Sequence, residues 1–400
     1  MENPTSASNS SASVQNLSLS LSNLQLNNNG IWADDHILMS NNGGLSMSST
    51  INHSNWSFRG SQANSLYSKI FALATSELGS KYLEELLLSS EDDSRIADNI
   101  FYAVFGFLFE FMTDQFAHHV FIKLISSTKY DRLQLITLKL ASQSQRDLFL
   151  MASSNNYGAS SIKKLIELLS ISPLIADIVS TLSRVFEHLM ITTSGSSIIL
   201  HCLQVLKNHQ TKEPIYQAAM HNFYKVSCHQ QGCFSMKNFI KEMRGPRTQQ
   251  LLFLISQNSV ALSKDPYGNY VVQEVIQLEN PKFFELTCLA LKGQFVDLSM
   301  MKSGSHVVEK IMKNNKFEGT IIGQVVNEFL NSNRILKVAK DRFGNYVIQT
   351  ALKETMRVNR LMYQRLVMRL KQQEGFDSLK FGYGKNVYKF IKASSRFPTC

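Results

Sequence analysis

From about residue 65 to the end of the chain, Leu, Ile, Val and Phe recur at three- and four-residue spacing, with few prolines and short polar breaks. That period predicts helices that each bury one face. Residues 262–293 (LSKDPYGNYVVQEVIQLENPKFFELTCLALKG) show it most clearly. Asp265, Pro266 and Gly268 interrupt the chain before a helix that should begin near Asn269, with Val271, Val272, Val275 and Ile276 on its buried side. A second helix should follow, with Phe283, Phe284, Leu286 and Leu289 turned inward. Residues 1–62 lack the period. They are rich in Ser and Asn, with isolated Leu and the two Trp, Trp32 and Trp56. Such a segment buries too little apolar surface to offset chain entropy, so a disordered tail is expected. Within it, LSLSLSNLQL alternates as a strand would, and serves either as flexible tail or as a short partner-binding motif.

The helical part repeats. Aligning on a small residue gives Gly79, Ala117, Gly158, Gly195, Gly232, Gly268, Gly304, Gly344 and Gly384, separated by 36 to 41 residues. Units of this length with two helical stretches each predict an α-solenoid, in which a unit is stable only against its neighbours. Around three of these residues the chain reads almost the same: DPYGNYVVQ at 265–273, SMMKSGSHVVEK at 299–310 and DRFGNYVIQ at 341–349. Asn269 and Gln273, Ser305 and Glu309, and Asn345 and Gln349 are each four apart, so each pair shares one helix face. Tyr270, His306 and Tyr346 lie beside them. A polar pair with a planar ring, recurring at a fixed interval, suits reading the bases of a single strand one at a time. A solvated helix face explains one such triplet. It does not explain three in register whose chemistry changes together from Asn/Gln to Ser/Glu.

Charge points the same way. The chain carries a formal +10, and residues 331–400 hold fifteen Lys or Arg against Asp341, Glu354, Glu374 and Asp377. A polyanion is the natural partner of that surface. The five cysteines are scattered without CxxC pairing, as reduced thiols are. No signal-like segment opens the sequence, and the longest apolar run, residues 100–109, is far short of a membrane span of roughly 20 residues. A cytoplasmic protein without membrane association is expected. No nucleophile elbow, HExxH, P-loop or dinucleotide-binding glycine motif occurs, so neither an enzyme nor a cofactor is expected. His118 and His119 are adjacent, so they point about 100° apart on a helix and make a poor metal pair. The acidic run Glu91, Asp92 and Asp93 reads as a loop between units.

The repeated segments resemble Pumilio (PUF) RNA-binding repeats, with eight repeats and a degenerate half-repeat at 381–391 (FGYGKNVYKFI). The resemblance covers roughly residues 65–400. It is close in the sixth to eighth repeats, weak in the first four, and similar to divergent plant members. It implies an all-α, right-handed, crescent-shaped solenoid forming one Pumilio homology domain over 63–400. It also implies a monomer that binds single-stranded RNA in mRNA 3′ untranslated regions and controls translation or message decay through deadenylation or translation-repressor proteins. Under the family's code, Asn269/Gln273 and Asn345/Gln349 read uracil and Ser305/Glu309 reads guanine. The RNA runs antiparallel to the protein, so the eighth to sixth repeats spell 5′-UGU-3′. Chemically, two amides suit uracil's edge, and a carboxylate suits the N1–H and N2–H₂ donors of guanine. Phe234, Tyr270, His306 and Tyr346 would stack on bases; the family's usual seventh-repeat stacker is Asn rather than His.

Other repeats depart from the pattern. The fifth keeps Cys233 and Phe234 but has Lys237 where the family has Gln, and a donor-only lysine suits an acceptor nitrogen or a phosphate instead. The fourth (Ser196, Ser197, Leu200), third (Ala159, Ser160, Lys163) and second (His118, His119, Ile122) carry little to grip a base edge. The first, with Ser80, Lys81 and Glu84, could accept guanine without a stacking ring. Two other classes fit a helical array: a protein–protein scaffold of the armadillo or HEAT kind, and a solenoid that binds nucleic acid without sequence preference. The ladder of rings and the basic C-terminal stretch separate RNA reading from the first, and a randomised-RNA selection separates it from the second.

Overall fold

The computed structural model of the protein describes residues 63–89, 94–278, 280–314 and 320–394. The Ser/Asn-rich segment 1–62 and the acidic run at 91–93 lie outside the described residues. Among the described residues all regular secondary structure is helical. They form two compact units divided at Ile136 and Thr137, within the helix Tyr130–Ala141.

In the larger unit, successive motif helices lie side by side: Asn156–Leu169, Thr193–Val205, Gln230–Glu242, Gly268–Gln277, Lys302–Met312 and Gly344–Val358. A second layer is built by the longer leading helices. There Pro246–Gln257 meets Pro281–Leu291, and Thr320–Asn331 meets Arg360–Lys371. In the smaller unit the motif helices Glu77–Ser89 and Ala117–Ser127 pack in the same way. The half-repeat forms two 3₁₀ turns and the helix Lys385–Ser394, which rests on Gly344–Val358.

Two expectations are corrected. Most units contain three helices, not two: a short one, such as Ser259–Lys264, Phe295–Ser299 or Ile335–Lys340, runs into each motif helix. It is too short to show a helical period, so the sequence pattern missed it. In the fifth repeat it is merged into the nineteen-residue helix His209–Ser227. The inward side of Pro281–Leu291 was also placed partly wrong. Phe283, Phe284, Thr287, Cys288 and Leu291 are buried at successive i, i+3/i+4 steps, which leaves Leu286 half-buried and Leu289 exposed. Leu289 stands about 100° round the helix from Cys288, and apolar character alone did not fix the phase.

The motif residue is small because two backbones nearly touch. From the first to the eighth repeat, wherever that residue is glycine, the backbone atom nearest to an added methyl would be the carbonyl oxygen six residues earlier, on the preceding helix. At Gly304 the added carbon would stand 2.6 Å from the Leu298 oxygen, and at Gly158 it would overlap that of Ala152 outright. None of these glycines has positive φ, so closeness rather than backbone freedom selects them. Three residues before the glycine, a side chain caps the new helix. Asp265 Oδ1 accepts from the backbone N–H groups of Tyr267 (2.8 Å) and Gly268 (2.7 Å), and Asp341 Oδ1 from those of Phe343 (2.8 Å) and Gly344 (2.9 Å). Asn155, Thr192 and His229 act likewise. The seventh repeat has Met301 there, in the same extended conformation (φ −106°, ψ 141°), with no side chain to cap.

Replacing Gly158 by Ala should therefore lower stability by about 1–3 kcal/mol, the usual cost of forcing an extra methyl into a filled site. Gly106→Ala, where a methyl meets nothing within 4 Å, should change stability far less. Met301→Asp should stabilise by about 1 kcal/mol, because the backbone already has N-cap geometry. Urea unfolding of the three variants measures all of this; a Gly158 variant as stable as wild type would show that the close approach is not a constraint.

Candidate functional site

Numbering each motif helix from its small residue, positions +3 and +4 are buried in the second to eighth repeats and anchor the helix. Val271 and Val272, Val307 and Val308, and Val347 and Ile348 are the examples in the last three. Positions +1, +2 and +5 were the candidate base-reading residues, and the structure treats the three differently.

Position +1 is buried in all eight repeats. Where it is polar, it is occupied with its own helix. Ser305 Oγ donates to the Lys302 carbonyl (3.1 Å), Ser196 to Thr193 (3.0 Å), Ser80 to Glu77 (3.1 Å), and the Cys233 thiol to Gln230 (3.2 Å). Asn269 Nδ2 donates to the carbonyls of Asp265 (3.0 Å) and Pro266 (2.9 Å), and Asn345 Nδ2 to those of Asp341 (2.9 Å) and Arg342 (3.0 Å). A carbonyl only accepts, so each Asn must turn its NH₂ inward. Its Oδ1 then accepts from the next reader: Gln273 Nε2 at 2.9 Å and Gln349 Nε2 at 3.0 Å. The Asn thus tethers the Gln. What faces outward is one Gln N–H and the Gln Oε1, beside the remaining lone pair of Asn Oδ1.

Position +2 is exposed in repeats five to eight: Phe234, Tyr270, His306 and Tyr346 stand out from the helices. The Phe234 and Tyr270 rings are nearly parallel, with centroids 6.2 Å apart and an interplanar angle of 22°. A planar group entering between them would displace one ring–ring contact, worth about 0.5–1.5 kcal/mol. It would gain two base–ring contacts of about 1–3 kcal/mol each. Insertion therefore wins.

Position +5 is half-buried throughout. Glu309 Oε2 accepts from Lys313 Nζ (2.7 Å) and from Thr350 Oγ1 (3.2 Å) of the next motif helix. Glu309, Lys313, Tyr346, Gln349, Thr350, Lys353 and Glu354 line one cavity of about 200 Å³, which joins the reading residues of the seventh and eighth repeats to two lysines. Lys237 has a protein partner that its sequence did not suggest. Its Nζ lies 3.5 Å from Glu274 Oε2 of the sixth repeat, whose other oxygen is 3.2 Å from Lys241 Nζ. Its charge thus faces a buried protein carboxylate. Sequence reasoning missed both Glu274 and Thr350. Each stands one residue beyond a +5 reader, and that register becomes legible only once the repeat alignment is used residue by residue.

In the first repeat, Lys81 is paired with Glu77 at 2.9 Å; this holds the Glu77 carboxyl below and the Lys81 ammonium above the ordinary range. The His118 and His119 rings meet at 3.9 Å rather than pointing apart. Burial, and then the neighbouring imidazole, lower the His118 pKa, and no cluster of metal-ligating residues occurs among the described residues. Cys202, Cys228, Cys233 and Cys288 are unpaired. Burial pushes the Cys202 and Cys288 thiols up to about 12, so they remain protonated packing groups.

Comparison with known proteins agrees with this layout. The Pumilio-family RNA binding repeat matches residues 108–137, 222–256, 258–283, 294–318 and 334–355. The match reaches the second repeat, which looked weak when judged by its reading positions alone. Pumilio homolog 12 of Arabidopsis thaliana is 30% identical over 290 residues, covering 72% of this chain and 47% of that protein. Pumilio homolog 11 of the same plant is 29% identical over 325 residues, covering 81% and 56%. The chain thus spans about half the length of these curated relatives. Among solved structures, the Puf4 RNA binding domain bound to the HO endonuclease RNA 3′ UTR recognition sequence is 25% identical, with a TM-score of 0.64 over 80% of this chain and 98% of that one. The RNA-binding domain of yeast Puf5p bound to MFA2 RNA shares the fold at 20% identity, with a TM-score of 0.62 over 82% and 97%. Capped motif helices set against a close-approaching glycine, five matched repeats and these relatives together place the chain in the Pumilio repeat family.

Proposed function

We propose that the chain binds single-stranded RNA sequence-specifically, reading a 5′-UGU-3′ core through its eighth, seventh and sixth repeats. The observation that carries this reading is the common geometry of those repeats. A tethered +5 amide or carboxylate stands beside an exposed +2 ring on three adjacent helices, with the chemistry alternating Gln, Glu, Gln. Uracil offers O4, N3–H and O2, and the outward N–H and Oε1 of Gln273 or Gln349 match a carbonyl and the N3–H. Guanine offers N1–H and N2–H₂ donors, which a carboxylate accepts and an amide satisfies only in part. The family's description and the RNA-bound relatives support the partner class. Binding in 3′ untranslated regions, cytoplasmic control of translation or decay, and recruitment of deadenylation or repressor proteins extend the same proposal. The basic residues of the C-terminal stretch, Lys353 beside the cavity among them, would meet phosphates.

The buried +1 residue makes the test sharper. Gln349→Ala should weaken binding to a UGU RNA by about 1 kcal/mol, roughly fivefold, while leaving the melting temperature unchanged. Asn345→Ala should do both, costing about 1 kcal/mol of stability as well, because it strips two carbonyls of their donor. Equivalent changes at Ser197 should leave RNA affinity unaltered. Titration of a labelled RNA, alongside thermal melting, separates these outcomes; a Gln349 variant that binds normally would count against base reading at the eighth repeat.

A second test moves the specificity. Ser305→Asn with Glu309→Gln copies the sixth and eighth repeats, and the carbonyls of Met301 and Lys302 stand where the new Asn would need acceptors. The double variant should prefer UUU over UGU, since the wild-type carboxylate faces the carbonyl acceptors of uracil as a mismatch of about 1–3 kcal/mol. Competition between two RNAs differing only at that base decides it. An unchanged preference for UGU would show that this pair does not select the base.

A further inference from the structure

We propose that position +6 of a repeat fixes the base-reading side chain of the repeat before it, making Thr350 and Glu274 positioning residues for the seventh and fifth repeats. The inference rests on the RNA-reading function proposed above. Two separate contacts carry it, with different chemistry at the same register. Thr350, six residues after Gly344, donates its hydroxyl to Glu309, the +5 residue of the seventh repeat, at 3.2 Å. Glu274, six residues after Gly268, faces Lys237, the +5 residue of the fifth, at 3.5 Å.

The geometry explains why this position reaches backward. Position +6 is about 100° round the helix from +5, and on Gly268–Gln277 and Gly344–Val358 that turn brings it to the preceding motif helix. Thr350 and Glu274 are both buried, at 5% and 4% exposure, so neither is a surface residue that happens to lie near. In the seventh repeat the carboxylate has two donors, and they are unequal. Lys313 reaches it along a flexible, half-exposed stem, and exposed ion pairs of that kind hold orientation weakly. Thr350 is β-branched and buried, so its hydroxyl is set by the backbone. The threonine therefore defines where Oε2 sits, and with it the direction in which Oε1 faces a guanine. In the fifth repeat the same position supplies a charge. A buried carboxylate requires compensation, and Glu274 obtains it from Lys237 and Lys241 together. The lysine that replaces an amide reader is held against protein, and its charge is withheld from RNA. One repeat's specificity is in this way written partly in the next repeat.

The test uses four RNAs that differ only at the base facing the seventh repeat, measured with wild type, Thr350→Val and Thr350→Ser. Valine keeps the shape of threonine and removes the donor; serine keeps the donor. We expect the preference for guanine to fall about three- to tenfold in the valine variant, as loss of one hydrogen bond to a carboxylate implies. The serine variant should restore it, and the three melting temperatures should lie within about 4 °C of one another. A structural role alone would weaken all four RNAs equally, and that result overturns the proposal, as does a valine variant with full guanine preference. If wild type itself shows no guanine preference, the functional reading fails first and takes this inference with it. For the fifth repeat, Glu274→Gln should release lysine charge to the strand. The log–log salt dependence should steepen by about 0.7 for each further phosphate neutralised. An unchanged slope would show that Glu274 does not restrain Lys237.

Discussion

The array depends on one contact: a motif helix brought so close to the short helix before it that a carbonyl oxygen occupies the space of a side chain. That approach leaves room for nothing larger than hydrogen at Gly158, Gly232 or Gly304, and it sets the angle at which the motif helix leaves the turn. In every repeat but the seventh the cap three residues earlier goes with it, because the new helix begins with unpaired N–H groups in a place where water is largely shut out. The buried pair at +3 and +4 follows as well, since the helix can only descend into the core from that entry. Ala117, fully buried, shows that the second repeat accommodates a methyl at the same point.

Within this frame, holding the turn and facing outward fall to different residues, although both are polar. The +1 residues are spent on the turn that carries them, and the half-buried +5 residues stand at the edge of the surface. The Asn–Gln pair joins the two tasks: one amide satisfies the backbone and then passes an acceptor to the other. This restricts the outward Gln to one orientation before any ligand arrives, and pre-orientation of this kind lowers the entropic cost of binding.

Much of this was legible in the sequence, for physical reasons that also mark where legibility stops. Val271, Val272, Val275 and Ile276 announced a buried helix face because four apolar residues at helical spacing leave little choice. The 36- to 41-residue recurrence of a small residue announced the array. The short helices were silent, since five or six residues do not complete two turns. Leu289 misled because hydrophobicity gives a face only to within its neighbours. At the site, Asn269, Ser305 and Asn345 were recognised as special, but their bonds to their own turns were not legible: a polar residue that pairs with its own turn and one that faces outward look alike as letters. The partner of Lys237 was not legible because Glu274 lies 37 residues away, and only the stacking of adjacent repeats brings them together.

The separation of scaffold from reader bears on how such an array changes over time. In the second to fourth repeats the glycine or alanine, the cap and the buried +3 and +4 anchors are in place while position +5 carries Ile122, Lys163 or Leu200, so the scaffold is kept where the amide or carboxylate of the last three repeats is absent. Mutations at outward positions cost the fold little, whereas those at the glycine or cap are felt at once. Under the RNA-reading function proposed above, such an array can shorten or lengthen the stretch of strand it recognises at one end while keeping its length and its core. On that same proposal, repeats without an outward amide or carboxylate are a reserve from which new letters can be drawn by substitution, without building a new helix.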